Sequence, residues 1–378
     1  MLKRFEVEGF KNFDFPLVID FADVKQYAFN QSCIKNSLLK TLIVYGKNSV
    51  GKSNLGLALF DIVTHLVDRN VSPDLYDYYL NNGGNYYQAS FRYTFQFGDD
   101  EVEYEYKKDS SKTIVYELVS VNNEPYFKFT YYASGEDSLV LAETGIQIYD
   151  PLKVLLPNLN YQYNSAEIST LRYIINNSKI DIDHPIRKLY DFVSSMLWFR
   201  SLDEHRFIGY KDPVKKAKDY YDFIFEGNNL EDFKKLLKEA GINNDLVIKS
   251  TPEKEKELYL SGDTLLPFFR TASNGTKALY AYFYWTRNKD VSFLFIDEFD
   301  AYYHFELSEF IVKDLEKRNI QTILTSHNTN LLSNSIMRPD CYFVLSNKGL
   351  TSIARATSRE LREGHNLEKL YMNGEFDE

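Results

Sequence analysis

Cysteine is nearly absent from this chain: its 378 residues hold two, Cys33 and Cys341. That excludes a disulfide framework and makes a reducing, cytoplasmic setting the expected one. Metal-ligand spacings are missing as well: the six histidines are scattered, and neither CxxC nor HExxH occurs. No apolar run approaches membrane-span length, so no membrane partner is expected. The first residues, Met1 through Glu8, read as an alternating strand rather than a secretion signal. Positive charge is in deficit. Lys and Arg number 44 against 54 acids, a formal net charge of −10. That argues against non-specific coating of nucleic acid, so weak or indirect contact through a local basic groove is expected. The excess lies in aromatics, 30 Tyr and 28 Phe, read first as background composition and second as interaction surface.

What is present is specific. Residues 46–53 read Gly46-Lys47-Asn48-Ser49-Val50-Gly51-Lys52-Ser53, followed by Asn54. The apolar run Leu42-Ile43-Val44-Tyr45 precedes them as a buried strand. Leu55, Leu57, Ala58, Leu59, Ile62, Val63 and Leu66 follow at helical spacing. Strand, glycine turn and helix form the context that makes GxxxxGK[ST] a phosphate-binding loop. The glycines let successive N–H groups turn toward one anion, and the helix N-terminus adds its dipole. Lys52 is placed to reach outer phosphates and Ser53 to hold Mg²⁺.

The rest of the chain falls into four stretches. Residues 2–9 and 16–21 predict a strand pair around the turn Phe10–Phe13, and 22–40 a polar, irregular insert. From 90 to 133 the period changes to two, as in Phe91-Tyr93-Phe95-Phe97 and Val102-Tyr104-Tyr106, which predicts an antiparallel meander whose aromatic stripe packs a core. Residues 150–250 switch to helical spacing, including Ile186-Leu189-Tyr190-Val193-Leu197 and Leu230-Phe233-Leu236-Leu237, the latter closed by Gly241. No sustained heptads occur. The charge run Glu253–Glu257 reads as a solvated face or loop. From 265 to 346 helix and strand alternate, which implies a mostly parallel sheet that the distant P-loop strand must join. The middle of the chain is then an insertion into one nucleotide-binding core. The expected division is residues 1–150 as an N-terminal lobe with P-loop and antiparallel β subdomain, 151–264 as a helical subdomain, and 265–378 as a lobe completing the core.

The second half of a nucleotide site lies in that last stretch. Phe293-Leu294-Phe295-Ile296 ends in Asp297-Glu298, two acids at the carboxyl edge of a sheet, where open α/β sheets bind ligands. Asp297 there is placed to hold Mg²⁺ through water, and Glu298 to accept a proton from water attacking a γ-phosphate. Thr325-Ser326-His327-Asn328 follows the next strand, so His327 faces the same edge. Ser273-Asn274-Gly275-Thr276 opens an apolar helix, a second anion-binding end as well as an N-cap.

In the order GKNSVGKS, SNGT, FLFIDE, SH, the chain resembles the Walker A, signature, Walker B and H-loop series of ABC-type ATPases. The early strand, Gly9-Phe10-Lys11-Asn12-Phe13 and a P-loop within fifty residues are similar to the SMC/RecF/OLD group. Closer still is the resemblance to the ABC-like AAA ATPases of bacterial anti-phage, abortive-infection operons. It is carried by Ser326–Leu332, Met337-Arg338-Pro339-Asp340 and the ending Arg362–Gly374. Asn274 stands where that pattern usually has Gly or Ser, and Phe299–His304 resembles a D-loop. The pattern's Q-loop glutamine has no clear counterpart here; Gln162 lies near the β–helical junction. The resemblance implies an α/β P-loop head with ATP and Mg²⁺ as cofactors, Glu298, His327 and Lys52 as catalytic residues, and Ser53 and Asp297 as metal ligands. It implies nucleotide contacts from Gly46 through Asn54 and from Lys11. It further implies head-to-tail homodimers, with each ATP meeting Ser273, Asn274 and Gly275 of a second copy, and a separate nuclease or toxin effector. Two other readings remain open, a RecF-like DNA-repair or clamp ATPase and a scaffold that binds nucleotide with little or no hydrolysis.

Overall fold

The computed structural model describes residues 1–67, 73–83, 86–130, 145–156, 168–201, 203–209, 217–243, 245–251, 254–287 and 290–376. The apolar runs of the sequence become strands buried on both faces: Thr41–Tyr45, Phe293–Asp297 and Gln321–Thr325 are buried at every position. Such strands belong in a parallel sheet covered by helices. Across that sheet the order is Asp203–Gly209, Met196–Arg200, Phe293–Asp297, Gln321–Thr325, Thr41–Tyr45, Tyr342–Ser346 and Gly349–Ser352. The five inner strands run parallel, and each edge is closed by an antiparallel partner. The P-loop strand thus sits between two strands that follow it by more than two hundred residues, as the alternation of helix and strand requires.

A second sheet is wholly antiparallel, in the order Gly145–Ile148, Glu124–Thr130, Ile114–Val121, Asp100–Lys108, Ala89–Phe97, Leu2–Glu8 and Leu17–Asp20. The predicted meander and the predicted N-terminal strand pair are one sheet, joined where Val7 pairs with Phe91. Its aromatic stripe faces the P-loop helix Lys52–Leu66: Phe91, Tyr93, Phe95, Tyr104 and Tyr106 have no exposed surface. Tyr93 donates its hydroxyl to the Ala58 carbonyl at 3.0 Å.

Between helix and meander lies a buried polar cluster. Asp61 accepts from Tyr79 (3.0 Å), Tyr106 (2.9 Å) and the Lys108 ammonium (2.8 Å), with both ionic side chains fully buried. Burial pushes the Lys108 pKa down, and the Asp61 charge opposes it. His65, held well below its usual pKa by burial and by Lys108, meets the Tyr104 hydroxyl at 3.0 Å. Tyr104 in turn donates to Glu117 (2.6 Å), which also accepts from Ser169. Asp61→Ala strands the Lys108 ammonium without its counter-charge, so it should cost about 3–5 kcal/mol in urea unfolding. Adding Lys108→Met should recover most of that loss; a single-variant loss under about 1 kcal/mol would contradict the ion pair's assigned role.

The insert 22–40 is pinned rather than loose. Buried Arg338 and Asp340 pair at 2.7 Å; Asp340 accepts from the Lys25 amide at 2.8 Å, and Arg338 donates to the Lys25 carbonyl. The Met337–Asp340 motif therefore closes the insert onto the core.

The helical reading of 150–250 needs correction. Helix Pro185–Val193 stops before Leu197, and Met196–Arg200 is a strand in parallel register with Phe293–Asp297. Asp203–Gly209 returns antiparallel beside it. Asp245–Thr251 and Lys254–Ser261 form a hairpin extended by Leu266–Pro267, so the described part of the charge run is strand. A four-residue apolar run has no period long enough to separate strand from helix. Pairing with a distant strand decided it.

Candidate functional site

Parallel strands end together, so residues just past their carboxyl ends converge. After Thr41–Tyr45 the chain turns through Gly46–Gly51 into the helix Lys52–Leu66. A side chain at Gly46 would put its Cβ 2.6 Å from the Leu345 carbonyl. Gly51 has φ +104, and a Cβ there would lie 2.5 Å from the Asn12 amide. Both positions therefore require glycine. Asn12 explains the second: it donates to the Val50 carbonyl at 2.9 Å and accepts from Asn54 at 2.7 Å. The N-terminal turn thus holds the P-loop in shape.

Lys52 is 7 % exposed. Its ammonium rests on the loop's own carbonyls, Gly46 at 2.8 Å and Lys47 at 3.2 Å. Burial lowers its pKa, and the charges of Asp297 and Glu298 oppose that shift. Asp297 is fully buried at the end of its strand. Its Oδ1 accepts from Thr325 Oγ1 at 2.8 Å, and its Oδ2 from Ser53 Oγ at 2.7 Å and Arg200 Nε at 3.0 Å. A second Arg200 nitrogen donates to Ser53 Oγ at 3.0 Å. A cation thus already bridges these two oxygens, which is the donor chemistry a hard divalent ion such as Mg²⁺ takes.

Glu298 is exposed and left-handed, at φ +51. For a residue with a side chain that conformation is strained and has to be held from outside. Here the Glu298 amide donates to Thr325 Oγ1 at 2.8 Å, and its carbonyl accepts from Ser201 Oγ at 3.1 Å. His327 follows Ser326, whose hydroxyl donates to Asp300 at 2.6 Å and accepts from the Asn328 amide at 2.9 Å.

These groups share one cavity of ≈ 480 Å³: Asn48, Ser49, Gly51, Lys52, Ser53 and Asn54 on one side, Asp297, Glu298 and His327 on the other. Gly46, Lys47 and Val50 shape the loop through their backbone and do not line the cavity. A larger cavity, ≈ 770 Å³, lies among Tyr221, Glu257 and Phe269 and contains none of the predicted site residues. Convergent charge, not size, marks the first as the functional one.

Two sets of expected contacts lie elsewhere. Lys11 does not line the cavity; its ammonium donates to the Asp77 carbonyl at 2.7 Å, and Asn12 is the residue that meets the P-loop. Ser273, Asn274 and Gly275, expected to meet the nucleotide of a second copy, lie outside this chain's own cavity as that expectation requires, at the start of helix Asn274–Thr286, where Ser273 caps the Thr276 amide at 3.2 Å. Gln162 falls outside the described residues. Sequence reading missed Asn12, Arg200 and Ser201. The signal for the last two was the apolar run Met196–Phe199 with polar residues directly after it, the same pattern as Phe293–Ile296 before Asp297.

A glycine loop between strand and helix, with paired acids two strands away, places the chain among the P-loop NTPases. The model of the family described as "AAA domain, putative AbiEii toxin, Type IV TA system" matches residues 42–333, more than half the chain, and the chain belongs to that family. Similar solved structures include an SMC head bound to the C-winged helix domain of ScpA, with 15% identity, 93% of this chain and 96% of that chain covered, and a TM-score of 0.44. The SMC head domain from Thermotoga maritima gives 14%, 91%, 94% and 0.42. An SMC head with an extended coiled coil, bound to the C-terminal domain of ScpA and derived from Pyrococcus furiosus, gives 14%, 93%, 95% and 0.45. No curated protein matches the sequence. Among the described residues, no helix is long and apolar enough to cross a membrane.

Proposed function

We propose that this chain binds and hydrolyses ATP, that two copies close head to tail around the nucleotide, and that this cycle serves a bacterial anti-phage system by controlling a separate nuclease or toxin. The observation that carries the ATPase reading is the convergence of Lys52, Ser53, Asp297, Glu298 and His327 on one cavity. Lys52 leaves the Gly46 and Lys47 carbonyls for the outer phosphates. The loop N–H groups and the helix N-terminus hold the inner ones. Ser53 and Asp297 would hold Mg²⁺, which when bound neutralises phosphate charge. Glu298 takes the proton of the attacking water, and His327 contacts the γ-phosphate. Ser273, Asn274 and Gly275 of the second copy complete the pocket. Phosphate contacts made only in the closed pair favour closure, and their loss after hydrolysis reopens it.

Lys52→Ala tests the core of this reading, because it removes the main fixed charge facing the outer phosphates. ATP affinity measured calorimetrically should fall beyond detection; equal affinity in both proteins would remove the claim. The defence role rests on the family. Its test is phage plating on cells carrying the chain with its neighbouring genes, where Glu298→Gln should abolish protection. Plating unaffected by either form, together with tight duplex binding at physiological salt, would favour the repair reading instead. The net charge of −10 argues for weak, salt-sensitive DNA binding.

A further inference from the structure

The geometry points to Arg200 as the resident cation of the nucleotide site: its guanidinium occupies the divalent-ion position between Ser53 and Asp297 until a metal displaces it. The inference rests on reading the site as one for nucleotide and metal. Strand register sets it up, since Arg200 pairs with Asp297 across neighbouring parallel strands. Two nitrogens of the fork then reach two oxygens, Asp297 Oδ2 and Ser53 Oγ, each at 3.0 Å. Asp297 has no exposed surface, so its carboxylate needs a nearby cation. A divalent ion held by Ser53 Oγ and by Asp297, directly or through one water, would need the space the guanidinium fills, so the two would exclude each other.

Arg200 is also free to leave. Its side chain is 35% exposed while that of Asp297 is 0%. The next residue, Ser201, is anchored by its hydroxyl to the carbonyls of Glu298 (3.1 Å) and Phe299 (2.9 Å), so the backbone stays and only the side chain swings. Arg200 is thus a positioning residue. It holds the metal ligands in place in the absence of metal and makes metal entry depend on nucleotide, whose phosphates supply the additional ligands.

The test uses Mn²⁺ alone, without nucleotide, read by electron paramagnetic resonance and by thermal unfolding. The unaltered protein should bind Mn²⁺ weakly and melt at the same temperature with or without it. Arg200→Ala should bind Mn²⁺ about tenfold more tightly or better, because one competing charge beside the carboxylate is gone. It should melt lower without metal and be restored by Mn²⁺. Arg200→Lys, which keeps a cation near both oxygens, should return the affinity toward the original value. If Arg200→Ala is poorly folded, Arg200→Gln makes the same charge change with a longer polar side chain. Equal Mn²⁺ affinity in the unaltered protein and the Ala or Gln variant would overturn the inference. So would Lys and Ala variants that behave alike. Failure of ATP binding would instead count against the nucleotide reading, which the Lys52→Ala comparison addresses separately.

Discussion

Glu298→Gln is expected to bind ATP as the unaltered protein does and to release phosphate about a hundredfold more slowly or worse, the loss expected when a positioned general base can no longer accept a proton. The change is nearly isosteric, so the turn around it should survive. That turn is held by backbone contacts, the Glu298 amide to Thr325 and its carbonyl to Ser201, neither of which involves the carboxylate. The lost step is therefore chemical and not structural. On the proposed cycle, in which the closed pair persists while the γ-phosphate remains, the variant should also accumulate as an ATP-bound dimer in size-exclusion chromatography. Phosphate release at the original rate in single-turnover assays would show that another group takes the proton.

The second large effect is expected in a mixture of two impaired variants. Asn274 is exposed in the first turn of the helix Asn274–Thr286, outside the cavity of its own chain. Asn274→Asp favours the helix, since an acid in the first turn complements the dipole. Against a γ-phosphate from a second copy the same charge is repulsive and should reduce ATPase activity about tenfold or more. Gly275 is a poorer choice, because a Cβ there would come within 2.9 Å of the Tyr302 carbonyl and disturb the D-loop-like turn directly. In the proposed head-to-tail dimer, mixing Asn274→Asp with Lys52→Ala would place both defects in one site of each mixed dimer and leave the other intact. Activity should then return in part. No recovery despite demonstrated subunit exchange would count against a composite site, or require that both sites fire together.

Much of this molecule was legible in its sequence because the signals are local. GxxxxGK[ST] between an apolar tetrad and a helical stripe is recognisable from those residues alone, although in the fold it is Leu345 and Asn12 that crowd Gly46 and Gly51. The alternation in Phe91-Tyr93-Phe95 fixed a strand with one buried face for the same reason. Phe293–Glu298 announced a strand ending in acids, and the structure delivers those acids to the P-loop cavity. In each case the period or backbone constraint resides in one short consecutive stretch.

Tertiary structure alone decided the rest. Met196–Phe199 is as apolar as a helix face and as a strand, and only pairing with Phe293–Ile296 made it strand. That pairing carried Arg200 to Asp297 and Ser201 to the Glu298 turn, contacts spanning 97 residues that no spacing rule anticipates. The Gly9–Phe13 turn pointed to Lys11, yet Lys11 lies at φ +49 with its ammonium on Asp77, and the neighbouring Asn12 holds the P-loop. Which of two adjacent polar side chains faces a site depends on a single backbone angle, and that angle is set by packing. The sequence determined which groups could perform the chemistry, because residue type and local period are written in it. The fold determined which of them meet, because strand register brings together residues that the chain keeps far apart.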